Sequence, residues 1–176
     1  MAKSSAARLG FGLEAMPDVA NAGERVSSSA VRTALAAGDL AGAARLLGRE
    51  YTMSGRVAHG EKLGRTLGFP TANIVLRRRP PLAGIFAVEV ELEETHAVLR
   101  GVASVGRRPT VRENAPPLLE VHLFDWNGDL YGRHLRVKFL AKLRDEQKYD
   151  GLDALRSAIE HDVVQAKDYF KRNRDG

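Results

Sequence analysis

Thr71 and Asn73 place a hydroxyl and a carboxamide two residues apart. On an extended segment that spacing turns both side chains to one side, where they offer the hard oxygen donors that Mg²⁺ accepts. Just before them, Gly60, Gly64 and Gly68 punctuate a stretch from Gly55 to Asn73 that also holds Lys62, Arg65 and Pro70. Glycine lets backbone N–H groups approach a phosphate without a Cβ in the way, and the two cations add attraction. The stretch suits a phosphate loop. It is not a Walker A sequence, because no Lys-Ser or Lys-Thr follows the last glycine. The same residues also fit an ordinary loop in which Thr71 and Asn73 satisfy nearby backbone groups.

A second segment, Leu118 to Trp126, carries Glu120 among alternating apolar residues. A glutamate inside a strand is unfavourable unless solvated or used, so Glu120 is either a solvated side chain or a base able to take the proton of a bound alcohol. His122 shares its face. The five histidines, at positions 59, 96, 122, 134 and 161, show no ligand spacing such as HExxH, and no histidine metal site is expected. In the third segment, Lys142 to Tyr149, Arg144 and Glu146 form an ion pair at a helix entry or line a pocket with Tyr149.

These groups need elements to hold them. Phe86, Val88, Val90 and Leu92 alternate with Glu89 and Glu91 in Gly84 to Leu92, and Leu135, Val137 and Phe139 alternate with His134, Arg136 and Lys138 in Arg133 to Leu140. Both patterns predict half-buried strands. Leu118 to Trp126 is another, ending at a tight turn over Asn127-Gly128, and Tyr51 to Ala58 and Ala97 to Val105 bring the total to five or six. That number closes into a barrel or a sandwich. Ser27 to Ser29 and Gly38 bound one short helix, and Asp39 and Gly48 bound a second. Asp150 is the expected N-cap of a last helix whose Leu152, Leu155, Ile159, Val163, Ala166 and Phe170 form a stripe against the barrel.

The 176 residues suggest one domain with an appendage, and the segment before Val26, rich in Ala and Gly, carries no expected catalytic role. With no cysteine, thiolate nucleophiles and cysteine zinc sites are excluded. The mean hydropathy is −0.27, and charges in every long window leave no apolar run long enough for a transmembrane helix. No secretory signal is evident at Met1 to Leu9, so a cytoplasmic protein is expected. Between Arg100 and Arg144 nine basic residues face four acidic ones, which matches the whole chain's net charge of +5. Such a stretch attracts RNA or a small phosphate ligand alike. Arg77-Arg78-Arg79 followed by Pro80-Pro81 is most simply a solvated loop.

In this order the segments resemble the bacterial riboflavin kinase family, the C-terminal module of bifunctional riboflavin kinase/FAD synthetases. The matching residues are Gly-Arg-Val-Ala-His-Gly at 55 to 60, Gly-Arg-Thr-Leu-Gly-Phe-Pro-Thr-Ala-Asn-Ile at 64 to 74 and Gly-Ile-Phe-Ala-Val at 84 to 88. They continue with Gly-Val-Ala-Ser-Val-Gly-Arg-Arg-Pro-Thr at 101 to 110, Glu-Val-His-Leu-Phe-Asp at 120 to 125, Asp-Leu-Tyr-Gly at 129 to 132 and Arg-Asp-Glu at 144 to 146. Phe86, Val111 and Tyr149 depart from the Tyr, Phe and Phe usual there, keeping bulk.

The resemblance implies a mainly β fold, a six-stranded antiparallel Greek-key barrel with a C-terminal helix, that transfers the γ-phosphoryl group of ATP to riboflavin and gives FMN and ADP. It implies Mg²⁺ and ATP phosphates at Thr71 and Asn73 under a loop containing Gly60, Lys62, Gly64, Arg65, Gly68 and Pro70. Glu120 becomes the catalytic base and Arg144 borders the flavin. Val26 to Arg32 is similar to the end of the family's adenylyltransferase module, so residues 1–49 are assigned to that module and a helical linker, and residues 50–176 to the kinase. The start of the adenylyltransferase module, with its paired histidines, has no counterpart, and FAD synthesis is not expected. A monomer without nucleic-acid or membrane partners is expected. Two rival readings are a flavin- or nucleotide-binding remnant without turnover, and a basic β-barrel module for nucleic acid, for which the 6% aromatic content supplies few stacking platforms.

Overall fold

Alternation of apolar and polar residues over six segments folds here into one closed sheet. The computed structural model describes residues 20–21, 24–25, 27–60, 63–106 and 116–173. Apart from a short two-stranded pair, Ala20–Asn21 and Glu24–Arg25, the strands are those of the barrel: β1 (Thr52–Ala58), β2 (Ala72–Val75), β3 (Gly84–Leu92), β4 (Ala97–Gly106), β5 (Leu118–Leu123) and β6 (His134–Arg144). They close in the order β1-β2-β5-β4-β3-β6, every pairing antiparallel. The consecutive strands β3, β4 and β5 lie side by side, and β6 returns to the free side of β3, which is the Greek-key arrangement the family resemblance implied.

Inward-facing Val57, Ile74, Phe86, Val88, Leu119, Val121, Leu135, Val137 and Phe139 fill the barrel. Two helices, α1 (Ser28–Ala37) and α2 (Leu40–Leu47), precede it. Ser27 and Asp39 cap them by accepting from Ala30 N and Gly42 N, and Gly38 and Gly48 end them in the left-handed conformation. Leu35, Leu40 and Ala43 enter the same buried cluster as the barrel residues, so this helical pair shares the barrel's core.

The last helix is α4 (Leu152–Arg172); a one-turn helix, α3 (Leu63–Thr66), lies between β1 and β2. Ala166 and Phe170 of α4 pack with Ile85, Ala87, Val102 and Phe124 on the outside of the sheet. Leu152 stays exposed, so the expected stripe packs only in its C-terminal half. The expected cap at Asp150 is corrected as well: Gly151, at φ 125°, takes the cap position without a side-chain bond.

Two further expectations change. The turn after β5 falls at Phe124 and Asp125, with Asp125 at φ 55°, rather than at Asn127-Gly128. Strand β6 runs past Leu140 to Arg144, and its register against β3 shifts twice, between Ile85 and Phe86 and between Ala87 and Val88. Such bulges flip the side-chain alternation. Lys142 becomes the partner of inward-facing Phe86, with its stem against Gly38 and Gly84, and Arg144 returns to the outer face as the partner of Ile85.

Candidate active site

Directly paired residues of an antiparallel sheet point to the same side. A single band of partners runs around the barrel: Ala58 with Asn73, Asn73 with Glu120, Glu120 with Ser104, Ser104 with Ile85, and Ile85 with Arg144. Inward-facing Val57, Ile74, Leu119 and Val121 flank the band, so its own members face outward. Asn73, Glu120 and Ser104 therefore stand side by side on three adjacent strands. Arg144 lies three strands from Glu120, an arc of roughly 14 Å at the usual strand spacing.

Asn73 points outward yet is only 7% exposed, with Gly60 lying over its carboxamide. Its Nδ2 donates to Thr71 O at 3.3 Å. Gly60 lies against the carboxamide so closely that a Cβ there would overlap it. Gly64 is pressed in the same way against the Phe69 carbonyl, and its neighbours include the Thr71 hydroxyl and methyl. Phe69 N donates to Gly64 O at 2.7 Å, and Gly68, at φ 89°, supplies the left-handed residue that reverses the chain after α3. Both glycines are thus required by close approach, one over Asn73 and one beside Thr71.

Two histidines tether this flap. His59 stacks on Tyr131 with ring centroids 3.9 Å apart. At the other end His122, two residues beyond Glu120 on the same outward face of β5, donates from Nδ1 to Pro70 O at 2.9 Å. The Phe69 ring meets the His122 ring edge to face at 5.4 Å. The sequence reading noted His122 only for its face and missed this tether, for which no spacing rule exists.

Of the residues expected at the site, Asn73 stands opposite Glu120, Gly60 lies against Asn73, Gly64 lies beside Thr71, Pro70 is bonded to His122 on the strand of Glu120, and Gly68 shapes the turn after α3. Arg65 sits exposed in the last turn of α3. Lys62 lies outside the described residues, as do positions 107–115, which join β4 to β5. Among the described residues no three His, Asp or Glu side chains converge to hold a metal. The Thr71 hydroxyl and the Asn73 carboxamide oxygen are neutral oxygen donors of the kind that could hold Mg²⁺.

Arg144 takes a partner the sequence reading missed. Its Nε and Nη2 donate to the two oxygens of Asp162 on α4 at 2.7 and 2.6 Å, and Asp162 is only 3% exposed. The bond to this carboxylate, more than any other effect, raises the guanidinium above its ordinary pKa, and Glu146 adds a smaller favourable charge. Asp162 is eighteen residues from Arg144, beyond the reach of local pattern. The guanidinium also lies over the Tyr149 ring, 5.8 Å from its centroid, and the Tyr149 hydroxyl is buried without a hydrogen-bond partner among the described residues. Part of the basic excess is likewise taken up in pairs: Arg136 with Glu91, Lys138 with Glu89, and Lys142 with Asp145.

Residues 47–170 match the family model described as Flavokinase, riboflavin kinase. The bifunctional riboflavin kinase/FMN adenylyltransferase of Pseudomonas fluorescens is 51% identical over 159 residues, covering 90% of this chain and 50% of that protein. The protein of the same name from Haemophilus influenzae is 45% identical over 171 residues, covering 97% of this chain and 55% of its own length. The chain thus spans about half the length of the curated relatives it matches. Among solved structures, one from Streptococcus pneumoniae described as a macrolide-efflux protein superposes with a TM-score of 0.72 at 35% identity, covering 90% of this chain and 50% of that one. In the present chain no described helix is long and apolar enough to cross a membrane.

Proposed function

The chain belongs to the riboflavin kinase family, and from that membership we propose that it transfers the γ-phosphoryl group of ATP to the 5′-hydroxyl of riboflavin's ribityl chain, giving FMN and ADP. The observation that carries the reading is the pairing of Asn73 with Glu120 beneath the Gly60 to Thr71 flap. It sets an oxygen-donor pair for a metal-bound phosphate beside a carboxylate able to receive a proton.

In the proposed reaction the ribityl oxygen attacks the γ-phosphorus, the bond from that phosphorus to the β–γ bridging oxygen breaks, and ADP carries the electron pair away. Glu120 takes the hydroxyl proton on a side-chain oxygen. Phosphoryl transfer of this kind has a loose transition state, so alignment and charge stabilisation supply most of the rate. Mg²⁺, when bound, neutralises charge on the phosphate oxygens. Thr71 and Asn73 hold the phosphate end of the nucleotide in place, and the flap above them excludes water. Arg144, fixed by Asp162, borders the flavin through the loop that carries Tyr149. The same reading takes the chain to act as a monomer in the cytoplasm on freely diffusing substrates.

Incubation with riboflavin and Mg-ATP followed by chromatographic separation of the flavins tests the proposal. Formation of FMN is expected. Riboflavin that binds yet stays unconverted would favour a flavin-binding remnant instead.

A further inference from the structure

We propose that His122 is a positioning residue that sets the Thr71 and Asn73 loop in register with Glu120, through its hydrogen bond to the Pro70 carbonyl. The inference deepens the kinase reading and rests on it.

Pro70 O can only accept, so the 2.9 Å contact requires the proton on His122 Nδ1. Pro70 has no N–H, and its ring fixes its own φ. Because the peptide between Pro70 and Thr71 is planar, holding the Pro70 carbonyl also fixes the plane from which the Thr71 Cα departs. The tether therefore fixes where the Thr71 Cα sits, and only two rotations, φ and χ1, separate it from the hydroxyl. His122 stands two residues from Glu120 on β5, a rise of about 6.6 Å along a single strand. One rigid strand thus carries both the carboxylate and the tether for the loop opposite it.

The tether is itself supported from behind. The His122 ring lies between Phe69 on the flap, at 5.4 Å, and Phe124, at 6.0 Å. Phe124 packs in the cluster covered by α4, with Phe170 6.4 Å away. Rotation of the imidazole would break contacts on both sides, so the Nδ1 direction is held by packing.

Two substitutions separate the hydrogen bond from the ring. His122→Phe keeps an aromatic ring between Phe69 and Phe124 and removes the donor. His122→Asn loses the ring but carries its amide nitrogen where Nδ1 was. Amide hydrogen exchange at Phe69 and Thr71, calorimetric affinity for Mg-ATP, and KM for riboflavin are measured on the full chain. For His122→Phe, exchange faster by about fivefold and Mg-ATP binding weaker by about fivefold are expected, the size of one hydrogen bond, with riboflavin KM within about twofold of the parent. His122→Asn is expected to recover most of both losses. Parent-like exchange and nucleotide affinity in His122→Phe would overturn the assignment, as would His122→Asn behaving no better than His122→Phe. The exchange comparison decides the role of His122 whether or not the parent turns over. Failure of the parent to make FMN counts against the kinase reading itself.

Discussion

Asn73 and Glu120 sit directly opposite each other on β2 and β5, and both face out of the barrel. Register, rather than a folded loop, decides this proximity. Slipping the pair by one residue would put Glu120 opposite an inward-facing neighbour and turn Asn73 into the core. The apolar residues that alternate with them, Ile74, Leu119 and Val121, make that slip costly because they are almost fully buried. The hydrophobic core therefore specifies the geometry of the site.

Asn73→Ala is expected to abolish measurable Mg-ATP binding by calorimetry while leaving the thermal midpoint within a few degrees of the parent. Gly60→Ala attacks the same point from above, because its Cβ would overlap the Asn73 carboxamide. It is expected to weaken nucleotide binding by at least about tenfold, a cost of about 1.4 kcal/mol. Parent-like affinity in both variants would remove Asn73 from the nucleotide site.

Arg144→Ala leaves the buried Asp162 carboxylate without its bidentate partner. Breaking such a pair costs roughly 3 to 5 kcal/mol, and a value near 3 kcal/mol is expected here because Arg144 keeps some contact with solvent. The double change Arg144→Met with Asp162→Leu should restore much of that loss. Urea unfolding measures both. A loss below about 0.5 kcal/mol in the single variant would show that the pair does not anchor α4.

Leu35→Ala should destabilise the whole molecule by about 2 to 4 kcal/mol, because Leu35 is buried in the cluster that fills the barrel. Unfolding followed by Trp126 fluorescence and by far-ultraviolet dichroism is expected to shift by the same amount in one transition. A variant whose barrel midpoint stays unchanged while helix is lost first would show that α1 and α2 fold apart from the barrel.

The strands were legible in the sequence wherever alternation was strict, as in Gly84 to Leu92, where the two faces separate cleanly, while the choice of barrel over sandwich came from the family resemblance. It was not legible where β6 carries its two bulges, because a bulge reverses the face of every following residue and makes Lys142 to Arg144 look irregular. The glycines and the Pro-Thr-Ala-Asn run announced the flap, since close approach of backbone to Asn73 demands residues without Cβ. The short helix α3, which precedes that run, was hidden, being too brief to show a period. Asp162 and the tether from His122 to Pro70 were out of reach for another reason. Each joins positions eighteen and fifty-two residues apart, and only the folded sheet and helix bring them together.

The account stands most directly on Glu120. In Glu120→Gln the side chain keeps its size and its place opposite Asn73 but cannot accept the ribityl proton. Single-turnover transfer of labelled γ-phosphate from ATP to riboflavin is expected to slow by about 10² to 10⁴, with the affinity for Mg-ATP unchanged. Transfer in Glu120→Gln at the parent's rate would contradict the proposed chemistry.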